Sequence, residues 1–241
     1  MEWKTKISKI NEKEEIIRGF KLDDLIGKIS FSEMVFILLQ GRKPLKNEAE
    51  LMSAILVAAA EHGLNSPSTL NTRITTSTTE NISQALASGI LTIGKHHGGA
   101  IEGLAKILQE NKSKTAKDIV KEFINKKERI PGYGHKIYKN EDPRAVRLFK
   151  ITKELNIYGN YIKLVLDIQK ELEKQTGKIL CLNIDGCIAA LISELKFNWR
   201  IANMFFILPR ILGLTAHYQE EITEEKPYRR LNGNEVKYEG R

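Results

Sequence analysis

Apolar residues recur every three or four positions along almost all of this 241-residue chain, and alternating strand patterns are nearly absent. A period of 3.6 residues places these side chains on one side of an α-helix, so this spacing constrains the fold more than any other feature. Hydrophobic residues form 41% of the chain and charged residues 28%, which is the balance of a folded globular protein. We therefore expect an all-α protein of about eight helices.

Capping residues predict where several helices begin. Asn47, Asn81 and Asp142 each precede an apolar repeat, and Pro143 occupies the first helical position after Asp142. Further helices are predicted over 101–107, 161–175, 188–195 and 198–219, and short strands over 3–10 and 235–238. Because no repeat, low-complexity linker or change in composition divides the chain, we expect residues 1–241 to form a single unit.

The net charge of +8 is concentrated in one segment, since residues 126–150 hold eight basic and three acidic side chains. A basic surface attracts anions. The chain has no zinc finger, aromatic RNP strand or basic heptad region, and Pro131, Gly132 and Gly134 surround a histidine in the basic segment. The segment therefore favours a small polyanion over nucleic acid, although charge alone leaves a merely solvated lysine-rich face open.

The chain lacks the features of an exported or membrane-spanning protein. Its longest apolar runs fall far short of the roughly 18–20 residues that cross a bilayer, and the charged N-terminus has no secretory signal pattern. Cys181 and Cys187 match neither a disulfide framework nor a metal site. We expect a cytoplasmic protein with no membrane partner and two reduced, buried thiols.

Four of the five histidines adjoin glycine turns, which is unusual for histidines in a core. Glycine follows His62 and His97 directly and precedes His135, while His96 adjoins His97. Glycine permits close approach of the backbone to a ligand, and histidine exchanges protons near neutral pH. The pattern indicates a cleft, although any one of these histidines could simply end a helix.

Asp185 is the candidate proton-transfer carboxylate, because it lies among apolar residues where burial would raise the pKa of its carboxyl. As an alternative, it could cap the helix predicted over 188–195. No metal is expected, since neither a His-x-x-x-His nor a Cys-x-x-Cys spacing occurs. Phosphate-binding GxxxxGK[ST], strand-flanked GxGxxG and serine-hydrolase GxSxG motifs are also missing.

Residues 131–145, Pro-Gly-Tyr-Gly-His-Lys-Ile-Tyr-Lys-Asn-Glu-Asp-Pro-Arg-Ala, closely resemble the G-[YF]-G-H-x-[VI]-Y-x-x-x-D-P-R-A motif of the citrate synthase superfamily. Shorter matches around His62, His97, Asp185 and Arg210 follow in the family's order, and the resemblance covers residues 5–231. It implies a citrate-synthase-like helical fold, shortened at the N-terminus. It also implies a large helical core and a smaller CoA-binding helical subdomain over residues 100–195.

Full citrate synthases resemble this chain only over their C-terminal two thirds. The segments 16–20, 24–28 and 38–42 instead look like stand-alone citryl-CoA lyases and the citryl-CoA-cleaving module of ATP-citrate lyase. The resemblance therefore implies a citryl-CoA lyase that yields acetyl-CoA and oxaloacetate by a retro-aldol reaction. A short citrate or 2-methylcitrate synthase is the alternative, and a non-catalytic subunit of a citrate-cleaving complex is a third.

The resemblance also implies the partners of the chain. Coenzyme A arrives as part of the thioester substrate, and no permanently bound cofactor is expected. The expected assembly is a homodimer or a larger homo-oligomer, with a citryl-CoA synthetase as a candidate partner.

The roles of individual residues are likewise implied by the resemblance. His135 matches the histidine that handles the hydroxyl or carbonyl oxygen, and Asp185 matches the carboxylate that exchanges a proton with the acetyl methyl group. His97 matches the histidine that contacts the enol oxygen of the thioester, with His96 as a substitute.

The remaining candidates are expected to bind the substrate. His62, Arg144 and Arg210 match positions that bind its carboxylates, for which the planar fork of arginine is suited. Either Arg229 or Arg230 is expected to cross the subunit interface. Coenzyme A is assigned to Gly132, Tyr133, Gly134, Lys136 and Lys139.

Overall fold

The computed structural model describes residues 2–240, and helices dominate it as the apolar periodicity predicts. Within this part of the chain the helices are α1 Phe31–Gln40, α2 Lys46–Ala59, α3 Pro67–Thr79, α4 Ile82–Leu91, α5 Ala100–Glu110, α6 Ala116–Asn125, α7 Pro143–Glu154, α8 Asn160–Thr176, α9 Ile184–Glu194 and α10 Met204–Glu224. Three short strands, β1 Ser8–Ile10, β2 Glu15–Ile17 and β3 Phe20–Lys21, form an antiparallel sheet in that order. The predicted helical class is confirmed.

Two of the predicted caps are confirmed. The side chain of Asn81 accepts a hydrogen bond from the Gln84 amide at the start of α4, and Asp142 accepts one from the Arg144 amide at the start of α7. The prediction for Asn47 is wrong, because this residue lies inside α2. Its side-chain amide instead donates to the Leu155 carbonyl, 3.0 Å away.

Other predicted boundaries are also wrong. Helix α9 begins at Ile184, four residues before the predicted start, and its cap is Asn183, whose side chain accepts from the Gly186 amide. Asp185 is therefore not the cap. Residues 235–238 contain no strand, and the predicted strand over 3–10 is limited to Ser8–Ile10.

Helices α1, α3 and α6 were not predicted from the sequence, and α3 shows why. Its sequence is rich in threonine and serine, which have low helix propensity and compete for backbone hydrogen bonds. In the structure several of these hydroxyls bond within the helix, as when Thr76 Oγ1 donates to the Thr72 carbonyl at 2.7 Å. Thr69, Thr72 and Thr76 are buried, so tertiary packing outweighs propensity.

The chain divides into two compact units. The first contains residues 2–58 and 100–203, and the second contains residues 59–99 and 204–240. This division does not show whether the chain folds as a single unit or whether residues 100–195 bind coenzyme A, so both statements remain predictions.

The core of the first unit is built around α9, which packs against α5, α7 and α8. Residues 186–193 of α9 are all buried, as expected for a helix that is apolar on every side. Cys181 and Cys187 are buried free thiols, as predicted. Among the described residues, no helix has both the length and the apolar character needed to cross a bilayer.

In the second unit, α3, α4 and α10 pack against one another. An ion pair joins α3 to α10 inside this unit, between Arg73 Nε and Glu221 Oε2, with side chains 5% and 1% exposed. Arg73 also contacts Glu220 and Glu225, and Arg229 Nε pairs with Oε1, the other carboxylate oxygen of Glu221. Arginine is suited to such a cluster because its guanidinium binds several carboxylates at once.

Candidate active site

In the first unit, hydrogen bonds join the loop over residues 132–142 to the segment that begins α9. The Asn183 amide donates to the Gly132 carbonyl at 3.0 Å, and the Gly134 amide donates to the Cys181 carbonyl at 2.7 Å. The Asn183 side chain adds a bond to the Gly134 carbonyl at 2.8 Å. These bonds bring the loop that carries His135 to the first turn of α9, which carries Asp185.

Two glycines make this close approach possible. Gly132 has a φ of +86°, and a Cβ added there would lie 2.7 Å from the Cα of Gly186. A Cβ on Gly186 would lie 2.6 Å from the Gly132 carbonyl oxygen. Any larger residue would push the loop away from α9.

The ring of His135 is oriented by its own loop. Its Nδ1 accepts hydrogen bonds from the amides of Ile137 and Tyr138 at 3.0 and 3.1 Å, and the ring stacks on Tyr138 with centroids 4.7 Å apart. Because Nδ1 accepts, the neutral ring carries its proton on Nε2. Burial lowers the pKa of His135. The negative charge of Asp142 raises this pKa, and the positive charges of Arg144 and Lys139 lower it. His135 is therefore a neutral Nε2–H donor near pH 7.

Arg144 is oriented by Asp142, whose side chain is fully buried. Arg144 donates to this carboxylate through Nε at 3.0 Å and Nη2 at 2.8 Å, and the Ile184 amide donates to it at 2.9 Å. Burial alone would raise the pKa of Asp142, but these hydrogen bonds and the charge of Arg144 lower it. Asp142 thus joins the loop to α9 as a buried carboxylate anion.

Asp185 occupies the first turn of α9 and is half-buried. The amides at a helix N-terminus carry partial positive charge, which favours an anion in this position. Because Asn183 caps α9, a capping role does not explain why an aspartate occupies position 185. Its predicted raised pKa stays a prediction.

The residues assigned to coenzyme A fall into two groups. The Tyr133 hydroxyl donates to the Val165 carbonyl at 2.8 Å, and burial strongly raises its pKa, so this side chain anchors the loop. Lys136 and Lys139 are exposed, and in residues 2–240 neither forms an ion pair with a carboxylate. Their charges suit phosphate groups, and coenzyme A binding stays a prediction.

In the second unit, one face of α10 carries Phe206, Arg210, Gly213 and His217, spaced so that they align along the helix. The guanidinium of Arg210 lies 4.6 Å from the centre of the Phe206 ring and donates to the Ala59 carbonyl at 3.1 Å through Nη2. Arg210 is only 2% exposed.

His97 contacts the same face of α10, since its ring meets Phe206 edge-on at 5.5 Å. His97 Nε2 lies 2.8 Å from Ser68 Oγ. Gly98 has a φ of +79°, and a Cβ there would lie 2.7 Å from the Phe206 ring. Burial lowers the pKa of His97, and the positive charge of Arg210 adds to the effect. His96 is exposed, so this geometry favours His97 over His96 as a site residue.

The remaining candidates also lie in the second unit. His62 is exposed on the turn between α2 and α3. Arg229 pairs with Glu221 and, at 3.0 Å, with Glu225. The guanidinium of Arg230 lies 5.9 Å from the centre of the Tyr228 ring.

Sequence reasoning overlooked two residues that orient the candidates. Asn183 could have been recognised as an asparagine directly before an apolar helix. Ser68 has no local signal, because its partner His97 is 29 positions away. Within residues 2–240, no three histidine, cysteine or acidic side chains are grouped so as to hold a metal ion.

The sequence profile of the family described as citrate synthase, C-terminal domain, matches residues 39–231. The structure of citryl-CoA lyase from Hydrogenobacter thermophilus is similar with a TM-score of 0.95 and 41% identity, over 99% of this chain and 95% of that one. ATP citrate lyase from Methanosaeta concilii in complex with (3S)-citryl-CoA is 26% identical with a TM-score of 0.83, over 100% of this chain and 42% of that one.

Citrate synthase from Synechocystis is 28% identical over 208 residues, which cover 84% of this chain and 52% of the relative. This chain therefore spans about half the length of the curated citrate synthases that it matches. The profile covers most of the chain, including the 131–145 motif and every catalytic candidate. The resemblance inferred from that motif is confirmed, and the chain belongs to the citrate synthase family.

Proposed function

We propose that this protein is a citryl-CoA lyase that cleaves citryl-CoA to acetyl-CoA and oxaloacetate. The observation that carries the proposal is the similarity to a citryl-CoA lyase over nearly the full length of both chains, at a TM-score of 0.95. The positions of His135, held by hydrogen bonds in its loop, and of Asp185, in the first turn of α9, support it. Both residue types suit proton transfer or oxyanion stabilisation.

The reaction is a retro-aldol cleavage. The tertiary hydroxyl loses its proton to water, its oxygen becomes a carbonyl, and the C–C electron pair moves into the enolate of the acetyl thioester. The Asp185 carboxylate takes up this proton through water, gives it to the enolate carbon and returns to its anionic form. One proton leaves oxygen and one reaches carbon, so no net proton is consumed.

His135 stabilises the substrate oxygen in this scheme. Because Nδ1 accepts from the amides of Ile137 and Tyr138, Nε2–H is the group of this ring that can donate to the oxygen on which negative charge develops. To accept the hydroxyl proton, Nε2 would have to be unprotonated. The neutral ring would then carry its proton on Nδ1 and lose the hydrogen bonds from both backbone amides. We therefore assign His135 as an oxyanion donor.

His97 stabilises the enolate oxygen. When the Ser68 hydroxyl donates to Nε2, the neutral His97 ring keeps its proton on Nδ1 and can donate it to that oxygen. The lowered pKa of His97 keeps the ring neutral near pH 7. His62, Arg144 and Arg210 bind the carboxylates, and Lys136 and Lys139 bind phosphates of coenzyme A beside the Gly132–Gly134 turn.

Citrate synthase chemistry is the second candidate, because the curated relatives include citrate synthases. The proton-transfer groups would be the same, but a synthase also hydrolyses the thioester. Purified protein incubated with citryl-CoA is expected to release acetyl-CoA and oxaloacetate in equal amounts, measured by chromatography. Citrate and free coenzyme A as the main products would favour a synthase. No turnover at all would favour a non-catalytic subunit, and either result contradicts the proposal.

We further propose a homodimer in which Arg230 reaches the substrate of the neighbouring subunit. Arg229 is already paired with Glu221 and Glu225, whereas Arg230 follows it in an exposed segment and forms no ion pair within residues 2–240. Mixing His135→Ala chains with Arg230→Ala chains is expected to restore activity, because a hybrid dimer then contains one intact site.

Mixing His135→Ala chains with Asp185→Asn chains is the matched control for this experiment. Both residues belong to the first unit of one chain, so every site of that hybrid lacks one of them. Native mass spectrometry would verify that hybrids form. Equal activity in the two mixtures would contradict the placement of Arg230.

A further inference from the structure

His217 lies on the α10 face described above and binds Glu61. Its Nε2 is 3.2 Å from Glu61 Oε1, and its side chain is 15% exposed. Its Nδ1 is buried and has no hydrogen-bond partner within the described residues. One ring nitrogen is thus engaged and the other is enclosed, so His217 cannot act on a substrate directly.

The Glu61 carboxylate also holds the turn that carries His62. It accepts the Gly63 amide at 2.5 Å and the His62 amide as well. Gly63 has a φ of +86°, a left-handed conformation that glycine adopts without strain. The backbone on both sides of His62 is therefore tied to a single side chain, which His217 ties in turn to α10.

Close packing one helical turn earlier strengthens this connection. A Cβ on Gly213 would lie 2.5 Å from Glu61 Oε2, so the absence of a side chain there admits the Glu61 carboxylate. Arg210, three residues before Gly213, binds the Ala59 carbonyl. Arg210, Gly213 and His217, on successive turns of α10, thus all contact the segment 59–61 that leads to His62.

We propose that His217 and Glu61 form a positioning pair that sets the place of His62 for binding a substrate carboxylate. This inference rests on the proposed function, in which His62 contacts the carboxylates of the citryl group or oxaloacetate. Fixing a binding side chain before the ligand arrives lowers the ordering cost of binding. Loss of the pair should therefore weaken substrate binding more than it slows the chemical step.

The test compares His217→Leu, which cannot bond Glu61, with His217→Gln, whose amide can donate to it. Tyr218→Phe is the matched control, since it is the next residue of α10 and its hydroxyl donates to the Glu80 carbonyl instead. We expect His217→Leu to raise KM for citryl-CoA about tenfold, as for the loss of one hydrogen bond, with kcat changed less than about twofold. His217→Gln should recover most of this loss, and Tyr218→Phe should behave as wild type.

A second measurement does not depend on activity. In the ligand-free protein with 13C-labelled histidine, the His62 ring resonance, assigned with His62→Asn, should shift in His217→Leu and return in His217→Gln. If His217→Leu does not fold, Glu61→Gln serves in its place and should shift the same resonance. A lowered thermal midpoint with an unmoved His62 resonance would overturn the inference. A shifted resonance in a protein that does not cleave citryl-CoA would support the pair and count against the proposed function alone.

Discussion

Replacing Asp185 by asparagine is expected to leave the protein folded and to lower kcat for citryl-CoA cleavage about 100- to 10,000-fold. The amide retains the size of the carboxyl but cannot deliver a proton to the enolate carbon. Because Asn183, and not Asp185, caps α9, the substitution removes no capping bond. Single-turnover cleavage measured by rapid quench, together with a thermal unfolding curve, would test both parts of this expectation.

Asp118→Asn is the matched control for this variant. Asp118 also lies in the first turn of a helix, α6, so the chemical change is the same, but Asp118 is exposed and pairs with Thr115 in a capping box. This control is expected to keep wild-type kcat. If Asp185→Asn also cleaved citryl-CoA within a few-fold of the wild-type rate, Asp185 would not be the proton donor.

Replacing Glu221 by alanine is expected to lower the free energy of unfolding by about 3–5 kcal/mol. The variant leaves the guanidinium of Arg73, which is 5% exposed, without the carboxylate at its Nε. It also removes the buried carboxylate that pairs with Arg229, which keeps only its pair with the more exposed Glu225. Guanidinium chloride denaturation would measure the change.

Glu220→Ala provides the matched control, because Glu220 binds the same arginine through Nη1 but is 56% exposed. An exposed ion pair contributes about 0–1 kcal/mol, so this variant should unfold nearly as wild type does. Equal losses in the two variants would contradict the expectation that burial of the Arg73–Glu221 pair makes its loss the more costly.

The same cluster predicts how stability depends on pH. Burial acts to raise the pKa of Glu221, but hydrogen bonds from Arg229 and Arg73 outweigh it and hold the pKa below the ordinary value of 4.5. A carboxyl with a lower pKa in the folded state contributes stability that is present above pH 4.5 and lost as the pH falls below that value. Glu221→Gln should therefore show a smaller loss of stability on acidification than wild type.

Comparison of α7 with α3 shows which parts of the fold were predictable. The start of α7 is set by Asp142 and Pro143, whose capping and fixed backbone act within a few residues. Helix α3 has a similar start, since Ser66 caps it and Pro67 occupies its first position, but its threonines remain helical because α4 and α10 bury them. Local chemistry can be predicted from spacing, whereas burial by distant elements cannot.

The candidate site divides in the same way. The 131–145 motif and the histidines beside glycines were recognisable because each lies within a short segment of sequence. Asn183 was also recognisable as the cap of α9, because it directly precedes an apolar helix. The bond between Ser68 and His97 was not, because it joins residues far apart in the chain.

The sequence by itself determined that the protein is mainly helical, that its histidines adjoin backbone turns, and that it resembles the citrate synthase family. Only the tertiary structure decided which partners the key side chains take: Ser68 for His97, Glu221 for Arg73, and Glu61 for His217. Periodicity and capping depend on contacts between residues about four positions apart or fewer. The partner of a buried charged or polar group depends on which distant segments pack together, as Arg73 and Glu221 do across 148 positions.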